Sequence, residues 1–315
     1  MIPAVVGLSG ANTFLKDLST AEVCEGTLPS VFRILVYHPL NGTLVGIGSG
    51  FFIRPDGTAL TACHVIIPQH KLKVKLDNGK ELEAKFLAGH HPTDIGLIKV
   101  HTQDLVIPVK VGNSDQLKRG EQVIHIGNTM FSDSNDIDVG YVNKLDDDTP
   151  EWLKSQLKGD MAPPESGLSF IKTTGSVRPG FSGGPLVNMK GEVVGLISRV
   201  FVQMHQTGPE HEGASIPINF VETIIKQLEE RGQVERPYIG CSFMKVEGGL
   251  GILKVQPGSP AEASGLKVGD VLLAVNNKKM KHPEDFFKVI GYQKGVEFNL
   301  EVLRSQKTIN LTISA

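Results

Sequence analysis

Gly180-Phe181-Ser182-Gly183-Gly184-Pro185-Leu186-Val187 is the stretch on which the reading of this chain turns. Glycine reaches backbone conformations closed to other residues, so the chain can bend sharply about Ser182. Such a bend also lets main-chain N–H groups converge on one point, where a developing oxyanion would be held. Taken alone, the stretch reads equally well as a glycine-rich hairpin turn.

Two upstream segments change the balance. A serine hydroxyl is a weak nucleophile until a base takes its proton, and a histidine base needs a carboxylate to fix its tautomer. Thr61-Ala62-Cys63-His64-Val65 ends a strand and puts His64 at a loop entrance. Thr93-Asp94-Ile95-Gly96-Leu97-Ile98 sets Asp94 just before an apolar strand. A single histidine is usually structural, and an aspartate before a strand often caps a turn. The ordered set His64, Asp94, Ser182 can fill the roles of base, orienting acid and nucleophile.

Chain order also separates two enzyme folds. The sequence GFSGG matches the nucleophile elbow of α/β-hydrolases, but there the serine comes first, on a strand–turn–helix. Here the residues after Ser182 continue as a strand, and no helix is expected until about 220. His205 and His211 lie in a polar loop.

The remaining pattern is short β runs between turn signals. Strands are expected over 31–37, 48–53, 72–76, 95–100, 122–126, 170–173 and 192–197. Pro55-Asp56-Gly57, Asp77-Asn78-Gly79 and Met189-Lys190-Gly191 mark turns between them. This spacing without long intervening helices predicts antiparallel barrels or a sandwich. Asn219 with Glu222 resembles a capping box, followed by an apolar face of Phe220, Val221, Ile224, Ile225 and Leu228 and a stop at Gly232. A polar linker ending in Pro237 leads to a second unit. Its strands are expected near 238–244, 251–255, 270–275 and 297–303, with helices near 260–264 and 283–291.

Composition agrees with this division. The chain has 315 residues, which suggests two domains at roughly 150 residues each. Hydrophobic residues are 40% and charged residues 21%, as in a globular protein rather than a disordered one. From Arg236 onward there are 11 Lys and Arg against 7 Asp and Glu, while the preceding part has 21 against 27, which marks a boundary near 235. A net charge of -2 gives no general attraction to nucleic acid. No apolar run reaches the ~20 residues of a membrane span. The opening MIPAVVGLSG lacks the basic flank of a signal peptide, so the chain reads as soluble and compatible with the mature form of an organellar or periplasmic protein. Cys24, Cys63 and Cys241 form neither a disulfide framework nor a metal motif, and read as reduced, buried thiols. No metal, cofactor or nucleotide site is expected.

Five segments in order, GSGFFI, TACHVI, TDIGLIKV, GFSGGPLVN and ASIPINFV, resemble the HtrA/Deg (protease Do-like) serine proteases. The tail, YIGC followed by GILKVQPGSPAEASGLKVGDVLLAVNN, resembles the PDZ domain that follows the protease in that family. The resemblance implies a mainly β chain: an N-terminal segment over 1–27, a chymotrypsin-like double β-barrel over 28–232, and a small α+β PDZ domain over 233–315. It further implies ATP-independent endopeptidase activity on unfolded or damaged proteins, regulation by the PDZ domain, and a homotrimer. The triad would be His64, Asp94 and Ser182, and the oxyanion hole would lie at Gly180, Phe181 and Ser182. Tyr238, Ile239, Gly240 and Cys241, with Phe286, Val289 and Ile290 from the facing helix, would form a groove for C-terminal peptides; the last three could instead simply pack the small core.

Several positions depart from the family pattern. Phe181 replaces the usual asparagine, and it excludes activation by an aspartate that pairs with a freshly cut N-terminus. Cys63 stands beside the base at a position where cysteine is unusual. The loop 38–44 is short, which argues against large cage assemblies. The irregular stretch 146–167 resembles a sensor loop by position. In 133–140, Ile137 breaks the ligand alternation of a calcium loop. The wall Ala214-Ser215-Ile216-Pro217 has no acid to receive Lys or Arg, which favours cleavage after small or medium aliphatic residues, although Glu210 or Glu212 in the preceding loop could supply one. The rival reading from another class is a catalytically inactive peptide-binding or chaperone protein on the same fold.

Overall fold

The computed structural model describes residues 18–129, 132, 134–147, 169–198, 213–292 and 295–314. The stretch 148–168 and the loop 199–212, with Glu210 and Glu212, lie outside the described residues.

Six strands close the first barrel: β1 (Val31–Tyr37), β2 (Leu44–Phe52), β3 (Thr58–Ala62), β4 (Lys71–Leu76), β5 (Glu81–His90) and β6 (Ile95–Val100), in the order β1-β2-β3-β6-β5-β4. Its interior holds Phe32, Ile34, Val36, Ala59, Val74 and Ile98. After β7 (Lys110–Val111) come β8 (Gln122–Gly127), β9 (Asp136–Asp147), β10 (Phe170–Thr173), β11 (Pro185–Asn188), β12 (Glu192–Ile197) and β13 (Gly213–Pro217). These run β11-β8-β9-β10-β13-β12, and the β11–β12 pairing closes a second barrel, with β7 added to β12 in parallel. The sequence left barrel and sandwich open; both sheets close as barrels, which removes exposed sheet edges.

A shared apolar cluster joins the barrels. Phe51, Leu60, Ile95 and Leu97 of the first meet Ile124, Val187, Leu196 and Ile216 of the second. Two helices cover it. The first, α1 (Thr20–Thr27), starts with a capping box in which Ser19 and Glu22 bond each other's backbone N–H, and it buries Val23 and Cys24 in that cluster. The second, α2 (Ile218–Arg231), buries Val221, Ile224, Ile225 and Leu228 and ends at Gly232 with φ 71°. Its N-cap is Pro217 rather than Asn219. Asn219 lies inside the first turn, where its side chain accepts from Ser114 N–H and donates to Asn113. The expected capping box is therefore replaced by a tertiary tie to the loop before β8.

The third unit is a six-stranded sheet: β14 (Cys241–Val246), β15 (Gly249–Val255), β16 (Val271–Val275), β17 (Lys278–Lys279), β18 (Glu297–Arg304) and β19 (Lys307–Ser314). Helices α3 (Pro260–Ala263) and α4 (Pro283–Ile290) pack on it. Tyr292, just past α4, is buried in the seam cluster, edge-on to Phe220 and His90, and its carbonyl accepts from Gln227 Nε2 at 2.7 Å.

Candidate functional site

The three sequence-predicted site residues of the first two segments and the glycine loop lie on the barrel seam. His64 sits in a single helical turn after β3 and is about one-third exposed. Asp94 ends the turn between β5 and β6 with φ 56°, a left-handed conformation that a short polar side chain tolerates. This geometry sends its carboxylate toward His64. Asp94 accepts from the His64 N–H at 2.9 Å and faces His64 Nδ1 at 2.8 Å. Asp94 is nearly buried, at 5% exposure. Cys63 N–H in turn donates to the Asp94 carbonyl at 3.1 Å, so backbone and side chain are fixed together.

A residue the sequence reading missed completes this pairing. Ser198, fully buried just after β12, donates from Oγ to Asp94 Oδ2 at 2.6 Å. With Ser198 and His64 both against it, the carboxylate is fixed in orientation toward His64 Nδ1. No local pattern around Ser198 announces the role; it arises only when two barrels meet.

Ser182 lies in the turn before β11. Arg178 to Phe181 form a turn closed by the Phe181 N–H on the Arg178 carbonyl at 3.1 Å. Pro179 and Gly180 occupy its centre, and Gly180 has φ 101°, as the third residue of a type II turn requires. The Phe181 N–H is thereby committed, so the expectation that it joins an oxyanion hole does not fit. The Phe181 carbonyl accepts from Gly184 N–H at 2.9 Å, which turns the Ser182 N–H of the same peptide plane the other way. The Phe181 ring is fully buried with Val177 and Ile197, under the Arg178 guanidinium 5.5 Å away. The loop abuts the His64 strand: a Cβ on Gly183 would fall 2.8 Å from Ala62 N.

Two neighbouring groups have no acid–base role at neutral pH. Burial, with the Asp94 charge adding, pushes the Cys63 thiol up to about 12, so it behaves as a small apolar residue rather than a redox-sensitive thiol. Burial pushes the His125 imidazole down to about 4, with its Nε2 beside Thr173 Oγ1 at 2.8 Å. Of the other thiols, Cys24 is buried and Cys241 is only half-buried.

The third unit carries a cavity of about 280 Å³ lined by Tyr238, Ile239, Gly240, Cys241, Phe243, Phe286 and Phe287 among others. Val289 and Ile290 do not line it: Ile290 is buried in the small core and Val289 packs against it. Phe286 shares a helix face and the small core with Ile290, yet together with Phe287 it also lines the cavity. Gly240 has φ 76°, and a Cβ there would lie 2.2 Å from Ser259 Cβ. The Ile239 and Gly240 carbonyls accept from Ala261 N–H at 2.9 Å and Gln256 N–H at 2.7 Å. In trans peptides this turns the Gly240 and Cys241 N–H groups away from those donors.

Two closed antiparallel barrels with a histidine–aspartate pair on the seam, followed by a five-strand-plus-ribbon sheet with two helices, define a trypsin-like peptidase domain joined to a PDZ domain. The family model of trypsin-like peptidase domains matches residues 48–196, and that of PDZ domains matches 237–315. The chain belongs to the HtrA/Deg family of serine proteases. It is 34% identical over 281 residues to a probable periplasmic serine endoprotease DegP-like of Pseudomonas putida (strain GB-1), covering 85% of this chain and 55% of that protein. It is 31% identical over 283 residues to the putative serine protease HhoB of Synechocystis sp., covering 83% of this chain and 64% of that protein. The chain thus spans about half to two thirds of the length of these relatives. The fold is similar to that of the HtrA-type protease AlgW with decapeptide, with a TM-score of 0.70 and 22% identity over 94% of this chain and 98% of that one. A serine endoprotease from Yersinia pestis gives 0.64 and 25%, over 94% and 97%.

Proposed function

We propose that this chain is an ATP-independent serine endopeptidase of unfolded or damaged proteins, regulated through peptide binding at its PDZ domain. Ser182 Oγ attacks the scissile carbonyl while His64 Nε2 takes its proton and later returns it to the leaving amine. Asp94 holds the imidazole in the required tautomer and stabilises the imidazolium. The Gly180 and Ser182 N–H groups receive the oxyanion. The observation that carries this reading is the Asp94 carboxylate, gripped by Ser198 and set on His64 Nδ1 at 2.8 Å.

At the PDZ domain the reading assigns the terminal carboxylate of a peptide to the Gly240 and Cys241 N–H groups and its last, apolar side chain to the cavity beside Phe286 and Phe287. The AlgW structure with decapeptide is named for a bound peptide, which is in keeping with this assignment. Assembly as a homotrimer belongs to the same reading and rests on the family resemblance. A periplasm-like compartment is in keeping with the name of the Pseudomonas relatives; no helix among the described residues is long and apolar enough to cross a membrane.

The test is labelling by a fluorophosphonate together with casein hydrolysis without nucleotide. The parent is expected to label and cleave, and Ser182→Ala to do neither. A parent that binds peptide but never labels would identify the inactive, peptide-binding alternative.

A further inference from the structure

Ser49 is fully buried in the middle of β2, yet all its polar groups are engaged and most of them reach out of its own sheet. Its N–H donates to the Ser182 carbonyl at 2.8 Å. Its Oγ donates to the Gly180 carbonyl at 2.7 Å and accepts from Asn128 N–H at 2.8 Å. Its carbonyl accepts from Thr61 Oγ1 at 2.7 Å, three residues before His64. The sequence around it leaves room for this one side chain alone. A Cβ on Gly48 would fall 2.5 Å from Val65, and one on Gly50 would fall 2.6 Å from the Phe32 ring.

The consequence lies in the peptide plane that follows Gly180. Its carbonyl is held by Ser49 Oγ, and its N–H, that of Phe181, is held by the Arg178 carbonyl. With that plane fixed at both ends and Gly180 at φ 101°, the direction of the Gly180 N–H is fixed too. Among the described residues, that N–H donates to no protein group. The platform beneath is equally closed: the Asn128 carbonyl would sit 2.0 Å from a Gly180 Cβ, and the Phe181 ring packs against Gly127.

We propose that Ser49 is the positioning residue of the oxyanion loop: its hydroxyl, bridging Asn128 and Gly180 across the barrel seam, aims the Gly180 N–H at the substrate carbonyl. The proposal rests on the reading of Ser182 as nucleophile. Ser49 touches no reacting atom and acts through Gly180. Removing Oγ leaves the buried Asn128 N–H and Gly180 carbonyl without their partner, a cost the loop can relieve by turning the plane. An oxyanion donor matters only as charge develops, so its misdirection acts on turnover and not on substrate affinity.

The experiment compares parent, Ser49→Ala and Thr61→Val on one peptide substrate. It measures kcat, KM, inhibition by the corresponding peptide boronate and the thermal midpoint. Affinity for the uncleaved peptide is read in the Ser182→Ala background with and without Ser49→Ala. Ser49→Ala is expected to lower kcat roughly 10- to 100-fold and weaken the boronate by the same factor. KM and peptide affinity should stay within about twofold, since the ground state gains little from the hole. Thr61→Val, which loosens Ser49 by one bond only, should move the same quantities less, and it carries the test should Ser49→Ala not fold. Unchanged kcat, or a loss of kcat that follows peptide affinity while boronate binding is retained, would overturn the role of Ser49. A parent that neither labels nor cleaves overturns the nucleophile assignment, and the role of Ser49 with it.

Discussion

Ser198 Oγ and Asp94 Oδ2 are joined by a 2.6 Å hydrogen bond that crosses from the second barrel to the first. Through it the two barrels share responsibility for the orientation of His64. A charge-assisted hydrogen bond in a buried site is worth about 1.5–3 kcal/mol, enough to change a rate by roughly tenfold or more. Ser198→Ala is therefore expected to lower casein turnover about tenfold with Ser182 still labelled by fluorophosphonate. Asp94→Asn, which favours the wrong tautomer, should cost on the order of 10⁴ in kcat, as in other enzymes of this design. Steady-state kinetics on both variants checks the order; equal activity of parent and Asp94→Asn would remove Asp94 from the mechanism.

In the proposed mechanism His64 and Ser182 act as one unit, so their losses should not add. Either residue changed to alanine should leave the same low residual rate as the double variant. The thermal midpoint should move little for His64→Ala, since that side chain is about one-third exposed. A double variant slower than either single by the product of their effects would show two independent contributions instead.

Acid should lower stability through His125. Its folded pKa of about 4 lies below the unfolded value of 6.5, so between those values the unfolded chain binds more protons. The contribution is complete above about 6.5 and is lost as pH falls toward 4, on the order of 3 kcal/mol in all. His125→Gln should flatten the pH dependence of the thermal midpoint in that window. Identical slopes for parent and His125→Gln would locate the acid sensitivity elsewhere.

The sequence carried the triad candidates because each sits on a turn or strand end whose local pattern is readable, and most strands because alternation and turn residues bound them. What it did not carry is tertiary. Ser198 and Ser49 look like ordinary strand serines until the barrels close. Asn219 with Glu222 has the form of a cap, but Asn113 and Ser114 draw the Asn219 side chain away and the helix starts two residues earlier, capped at Pro217. The capping box at Ser19 and Glu22 was readable in principle, yet it opens a helix of only eight residues with no periodic run to advertise it. In the PDZ domain, Phe287 rather than Val289 reaches the cavity, because apolar content alone does not say which face of α4 meets the sheet.

Gly240 offers the sharpest test of the peptide groove. Its φ of 76° and the 2.2 Å approach of a Cβ to Ser259 both exclude a side chain, so even alanine must rotate the peptide planes on either side. Those planes carry the Gly240 and Cys241 N–H groups assigned to the carboxylate. Left-handed backbone costs a non-glycine residue about 1–2 kcal/mol, and misdirected donors lose more. Gly240→Ala is therefore expected to weaken an apolar-ended free-acid peptide at least tenfold while the protease domain still labels at Ser182. Calorimetric titration of the full chain carrying Ser182→Ala, with free-acid and amidated forms of one peptide, supplies the control. The parent should bind the free acid much more tightly than the amide, and Gly240→Ala should bring the two together. Equal affinity of the parent for both forms would show that the carboxylate is not read, and the assignment of the groove would fall.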